Sequence, residues 1–140
     1  MRATTSARHV EVAETLNADD ILGLQETVRR IPAGEHVFQY AMALSRATRP
    51  NESEAFDFVR EFVSWGAGPR ASQYLILGAK ARASLYGRPY ATTEDVAAIA
   101  APVLRHRIIT NFNAEAEGMN SDRIVQRLLE KTPRPTEPKR

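Results

Sequence analysis

The sequence predicts an all-α domain, a compact bundle of four to five helices with a short extended segment after the fourth. Three observations carry that reading. Apolar residues recur at helical spacing, as in Ile21, Leu24, Val28 and Ile31. Most of these runs are opened by a capping residue or closed by proline or glycine. The longest run, Pro69 to Tyr86, is rich in alanine and apolar over most of its circumference, the pattern of a helix at the centre of a bundle.

The elements follow in order. Residues 1–16 are polar, without a clear period, and read as a lead-in. Asn17 suits an N-cap, Asp19 and Asp20 fall in the first turn where the helix dipole favours them, and Pro32 ends this helix. Gly34 breaks the chain before a second helix, Glu35 to Thr48, whose inner face is expected to be Val37, Phe38, Ala41, Leu44 and Ser45. The short loop between the two implies an antiparallel pair. A short helix is expected around Glu54 to Phe62, then an extended approach to Gly66. The third helix opens at Pro69, since proline loses nothing at a first helical position, and ends at Gly87. Within it Arg82 interrupts the apolar side and needs a carboxylate or carbonyl partner.

Thr92 caps the fourth helix, with Glu94 and Asp95 in its first turn and Val96, Ile99 and Ala100 pointing inward. Pro102 is expected to bend or end it. Arg107 to Phe112 reads as extended, and Glu115 and Glu117 as solvated charges on an extended or turn segment. Asn120 or Ser121 starts a last helix that buries Ile124, Val125, Leu128 and Leu129. The domain is thus expected over 17–131. The tail, 132–140, has three prolines and four charged residues, a composition that predicts disorder.

Composition narrows the function. The chain has 140 residues, enough for one core, with 19 basic and 17 acidic residues interleaved. So slight a surplus makes nucleic acid an unfavoured partner. Without cysteine there is no disulfide or thiolate metal site, and the three histidines form no ligand pair, so no metal site is expected. No apolar run reaches membrane-spanning length, and the expected location is cytoplasmic. There is no Gly-x-Ser-x-Gly turn, no His-Glu-x-x-His helix and no phosphate loop ending in Lys-Ser/Thr, so this chain is expected to hydrolyse nothing alone. The acidic pairs Asp19/Asp20 and Glu94/Asp95 read as first-turn charges rather than as an acid–base pair.

The placement that needs explanation is Arg70, a cation in the first turn of the third helix, where the dipole favours anions. An arginine there makes sense if it and the helix end face a shared anion such as a phosphate. Trp65-Gly66-Ala67-Gly68-Pro69-Arg70-Ala71 resembles the Gly-Ala-Ser/Gly-Pro-Arg-Ala motif of the MoxR family of AAA+ ATPases. Gly87-Arg88-Pro89-Tyr90-Ala91-Thr92-Thr93-Glu94-Asp95-Val96 is similar to that family's Gly-Arg-x-Tyr-Val-Thr-Pro-Glu-Asp-Val. Ala101-Pro102-Val103-Leu104-Arg105-His106-Arg107-Ile108 is similar to its Pro-Pro-Val-Leu-Arg-His-Arg-Ile, and Arg46-Ala47-Thr48-Arg49 resembles the close of its second lid helix.

The resemblance runs from about Asn17 to Leu129 and implies the C-terminal helical lid of such an ATPase, without its nucleotide-binding core. It implies that Arg70 acts as the sensor 2 arginine, with Pro69 and Gly68 beside it at the nucleotide, ATP. It also implies that Mg2+ is held by the core. The implied partners are that AAA+ core, neighbouring ring subunits and von Willebrand factor A-domain proteins, in chaperone-like remodelling. Gly68 in place of serine and Thr93 in place of proline are the departures. Two other readings stand beside it. One is a helical interaction module binding protein through Phe56 to Trp65. The other makes Arg105-His106-Arg107 a contact to a neighbouring subunit or the core, against the plainer reading of charge at a helix end.

Overall fold

The computed structural model describes residues 13–135. Seven helices and one small sheet are found among them: α1 (Ala18–Arg30), α2 (Glu35–Ala47), α3 (Asp57–Phe62), β1 (Val63–Trp65), α4 (Arg70–Leu85), α5 (Thr93–Leu104), β2 (Ile109–Thr110), α6 (Phe112–Ala116) and α7 (Ser121–Lys131). The lead-in 1–12 and the tail 136–140 lie outside the described residues.

The long helices begin where the sequence puts caps. Asn17 and Asp20 form a reciprocal capping box: the Asn17 side chain accepts from the Asp20 N–H at 2.9 Å, and the Asp20 carboxylate accepts from the Asn17 N–H at 3.0 Å. Thr92 and Asp95 repeat the device at α5, and Asn120 caps α7. Pro102 sits inside α5, which continues to Leu104. A proline in the last turn removes at most one ladder bond, so the helix outlasts it.

At the centre lies α4, packed against α1, α2 and α5. Its buried residues are Ala71, Leu75, Ala79 and Ala83, a four-residue repeat made mostly of small side chains. Neighbours therefore come close: a Cβ on Gly78 would sit 2.6 Å from Ile99 Cδ1 of α5. The helix is less enclosed than its composition predicts. Tyr74, Leu77, Leu85 and Tyr86 are exposed, because α2 and α5 use the alanine stripe and leave the opposite side open.

Other expectations also shift. On α2, Tyr40 is buried and Phe38 points outward, since the buried stripe runs Val37, Tyr40, Ala41, Leu44, Ala47. α1 lies against α4 rather than pairing chiefly with α2. None of its residues is buried, and Ile21 and Leu24 stay 47% and 55% exposed. It is tied by Lys80 Nζ, which donates to Arg29 O at 3.1 Å, and by the Ala91 N–H, which donates to Pro32 O at 2.9 Å. Two extended segments foreseen separately pair as β1 and β2, antiparallel and with an irregular register. Glu115 falls within α6, a short helix capped by Asn111, rather than on an extended piece. Leu129 is only partly buried, whereas Ile124, Val125 and Leu128 are fully so. Thr132 is buried and donates its N–H to Leu128 O at 2.8 Å, so packing extends one residue past α7.

Two polar constructions fix the geometry around α4. Asp95, with 0% exposure, accepts from Arg82 at 2.5 Å, from both terminal nitrogens of Arg88 at 2.5 and 2.7 Å, and from the Thr92 N–H and hydroxyl. This is the partner Arg82 required. Burial alone would push the Asp95 carboxyl up; the hydrogen bonds from Arg88, Arg82 and Thr92 more than offset it and hold the carboxyl well below the usual carboxylate range. The second construction anchors the turn before α4. The Ala67 N–H donates to Thr48 Oγ1 at 2.8 Å, and Arg49 Nε donates to Ala67 O at 2.9 Å. Gly66 crosses so near the end of α2 that a Cβ would lie 2.3 Å from Thr48 O.

These contacts set two expected outcomes. Gly66→Ala, which must push backbone against backbone, should cost about 2 kcal/mol. Gly68→Ala, where a Cβ meets nothing within 4 Å, should stay within about 0.5 kcal/mol of wild type, and urea melts of the pair measure both. Asp95→Asn should cost about 3 kcal/mol, because two guanidiniums lose their shared charge. Since the Asp95 pKa is depressed on folding, its contribution is complete above the unfolded value near 4 and is lost as pH falls below that. A melt series should therefore show a flatter acid limb for Asp95→Asn than for wild type, with a constant gap from about pH 5 to 8.

Candidate functional site

Pro69 already has helical angles, φ −57° and ψ −29°, and Arg70 is the first residue of α4. The Ala71 N–H donates to Gly68 O at 2.9 Å and Ser72 Oγ to Pro69 O at 2.7 Å, closing the first turn. No side chain caps this helix, and no acidic residue lies in its first turn. Two long helices elsewhere in the domain carry a full capping box at this position. The partial positive charge of the α4 N-terminus is thus left without a local anion, and Arg70 adds a full one. Arg70 is exposed, and the ion pairs and side-chain hydrogen bonds found among the described residues do not include it.

Arg70 lines a pocket of about 550 Å3 between α1, α2 and α4. Down one side of α4 run Arg70, Gln73, Tyr74, Leu77 and Lys80; α2 contributes Phe38 and Met42, and α1 contributes Arg29. The floor is aromatic and aliphatic, three cations stand around it, and none of the lining residues among the described residues is a carboxylate. The Arg107 guanidinium lies 5.1 Å from the centre of the Tyr74 ring while donating to Val103 O, adding a fourth cation next to the wall. Such a pocket suits a ligand with a flat apolar part and an anionic part.

Of the residues singled out in the sequence, Arg70 faces this pocket. Gly68 and Pro69 do not line it; they line a second groove of about 370 Å3 with Arg49, Asn51, Glu52 and Trp65. The cluster Arg105-His106-Arg107 divides. Arg105 pairs with Asp122 at 3.2 Å and donates to Ala101 O, which is the plainer helix-end role, whereas Arg107 turns to Tyr74. Arg29, Phe38, Tyr74 and Lys80 carried no sequence signal of a site, because they are spread over three separate helices, α1, α2 and α4. The i, i+4 spacing of Arg70 and Tyr74 on one helix was the available clue. Among the described residues no group of three or more His, Asp or Glu side chains is placed to hold a metal. No helix among them is long and apolar enough to cross a membrane.

Known proteins resemble this chain in sequence and fold. Residues 57–128 match the family model of the AAA lid domain. The chain is 30% identical over 120 residues to the chaperone MoxR1 of Mycobacterium tuberculosis, covering 86% of this chain and 32% of that protein. It is 28% identical over 121 residues to the uncharacterized protein YeaC of Bacillus subtilis, covering 86% of this chain and 35% of YeaC. The crystal structure of a candidate ATPase from Cytophaga hutchinsonii superposes with a TM-score of 0.78 at 30% identity, over 84% of this chain and 36% of the other. The chain spans about a third of the length of each of these relatives. A helical bundle carrying the lid's sequence over its central half, and the lid's shape over nearly all of its length, belongs to the AAA lid domain family, in its MoxR type.

Proposed function

We propose that this lid closes over a nucleotide held by an AAA+ core and that Arg70 reaches the phosphates of that nucleotide as its sensor 2 residue. The observation that carries the reading is the uncapped α4 N-terminus with Arg70 as its first residue, opening on a pocket whose described lining is cationic and apolar. The pocket residues fit ATP in kind: guanidinium and ammonium groups for phosphate oxygens, Tyr74, Phe38 and Met42 for a base or ribose. In the same proposal the accompanying Mg2+ is held by the core, as the MoxR resemblance implies.

In this reading Arg70 binds phosphate oxygens through several donors and stabilises the charge that develops as the γ-phosphoryl group leaves. Losing the γ-phosphate removes its anchor, so hydrolysis is read out as lid movement. Remodelling of client proteins, assembly with neighbouring subunits in a ring, partnership with von Willebrand factor A-domain proteins and a cytoplasmic location follow from the MoxR resemblance and belong to the same proposal. The rival reading, a protein-binding module using Phe56 to Trp65, loses ground because Phe58 and Phe62 lie in the core.

The test is Arg70→Ala in a protein that joins this lid to its nucleotide-binding core. ATP turnover should fall roughly 100-fold, the loss of one charged transition-state contact. The lid's own melt should move by no more than about 0.5 kcal/mol, since Arg70 is exposed. Full turnover in that variant would sink the assignment.

A further inference from the structure

Arg70 is the first residue of α4, and no side-chain cap fixes where that helix begins. The starts of α1 and α5 are set locally, each by a capping box. The start of α4 takes its position instead from the turn before it, and two consecutive residues at the end of α2 hold that turn.

The Thr48 hydroxyl donates to Ser45 O at 2.7 Å and accepts from the Ala67 N–H at 2.8 Å. Thr48 and Ala67 are both buried, which keeps water from the bond between them. Arg49 Nε donates to Ala67 O at 2.9 Å, and the Arg49 guanidinium is steadied in turn by Glu52 at 3.1 Å. The N–H and the C=O of one residue are thus clamped by neighbours in sequence. Only Gly68 and Pro69 separate that residue from Arg70. The Pro69 ring locks its φ, here −57°, and the Ala71 N–H donates to Gly68 O at 2.9 Å. Little freedom remains between clamp and arginine. The same α2 supplies Phe38 and Met42 to the pocket that Arg70 faces, so the clamp ties the arginine to the α2 wall of its own pocket. Neither Thr48 nor Arg49 lines that pocket; both act through Ala67.

We propose that Thr48 and Arg49 are positioning residues for Arg70. Their role rests on the reading of Arg70 as sensor 2: they hold its guanidinium in register with the place where the nucleotide phosphates arrive. A phosphate contact depends on such support, because a displacement of about 1 Å caused by a change away from the chemistry can cost roughly 100-fold in rate.

The test uses the protein that joins this lid to its nucleotide-binding core, at a temperature where circular dichroism shows each variant folded. Thr48→Val keeps the shape and removes the hydroxyl; ATP turnover should fall about 10-fold, a part of the roughly 100-fold loss expected of Arg70→Ala. Thr48→Ser keeps the hydroxyl and should stay within about twofold of wild type. Arg49→Met keeps the apolar stem without the donors and should lower turnover about threefold. Thr48→Val added to Arg70→Ala should be no slower than Arg70→Ala alone, since nothing is left to position. Where Thr48→Val does not fold, Arg49→Met, on a side chain 30% exposed, carries the same comparison. Full turnover in the Thr48 and Arg49 variants beside a slow Arg70→Ala would overturn the positioning roles and leave the sensor reading standing. A loss that multiplies onto that of Arg70→Ala would overturn them as well, by assigning the clamp to folding alone. Full turnover in Arg70→Ala itself would remove the sensor reading and this inference with it.

Discussion

A single buried carboxylate organises the middle of this domain. Asp95 caps α5 through Thr92, takes Arg82 from α4, and takes Arg88 from the loop between them. It therefore sets at once where α5 begins, how α4 lies beside it and how the connecting loop returns. Its charge is desolvated, a cost offset only because five donors from three directions converge on two oxygens. Small residues on the buried side of α4, Ala79 and Ala83 among them, make the arrangement possible, since larger ones would hold its neighbours further away. The Tyr86 ring lies under both guanidiniums, Arg82 at 4.8 Å and Arg88 at 5.8 Å from its centre.

The turn before α4 answers a different constraint. Both polar atoms of the Ala67 peptide are engaged by the end of α2, its N–H by Thr48 and its C=O by Arg49. Gly66 is required by the closeness of Thr48 and Gly68 is not, although the two look alike in sequence. With the turn pinned three residues upstream, Arg70 projects from a fixed base rather than from a loose loop. That is the condition for an arginine to report on a phosphate presented from outside the domain. Among the described residues the pocket's lining supplies cations and an apolar floor.

Much of this was legible in the sequence. Caps at Asn17, Thr92 and Asn120 and stops at Pro32 and Gly87 placed the long helices to within a residue or two, because these residue types act locally. Arg82's need for a partner followed from a charge on an apolar face. What stayed hidden depended on tertiary choice. The outward turn of Phe38 and the inward turn of Tyr40 depend on which neighbour α2 meets. The pairing of β1 with β2 joins residues more than forty positions apart. For the candidate site, Arg70 was visible as a misplaced cation, whereas Arg29 and Lys80 line its pocket only because separate helices converge.

The bare surface of α1 has a thermodynamic meaning of its own. A helix of 13 residues with nothing buried is held by a partial packing on α4, its capping box and two tethers, and isolated helices of this length are marginal in water. Its opening is therefore uncoupled from the core and belongs to the low-energy end of the local unfolding spectrum. Because α1 supplies Arg29, each such excursion takes away one wall of the pocket in front of Arg70. The site's shape is in this way an equilibrium property, governed by how often a single helix frays.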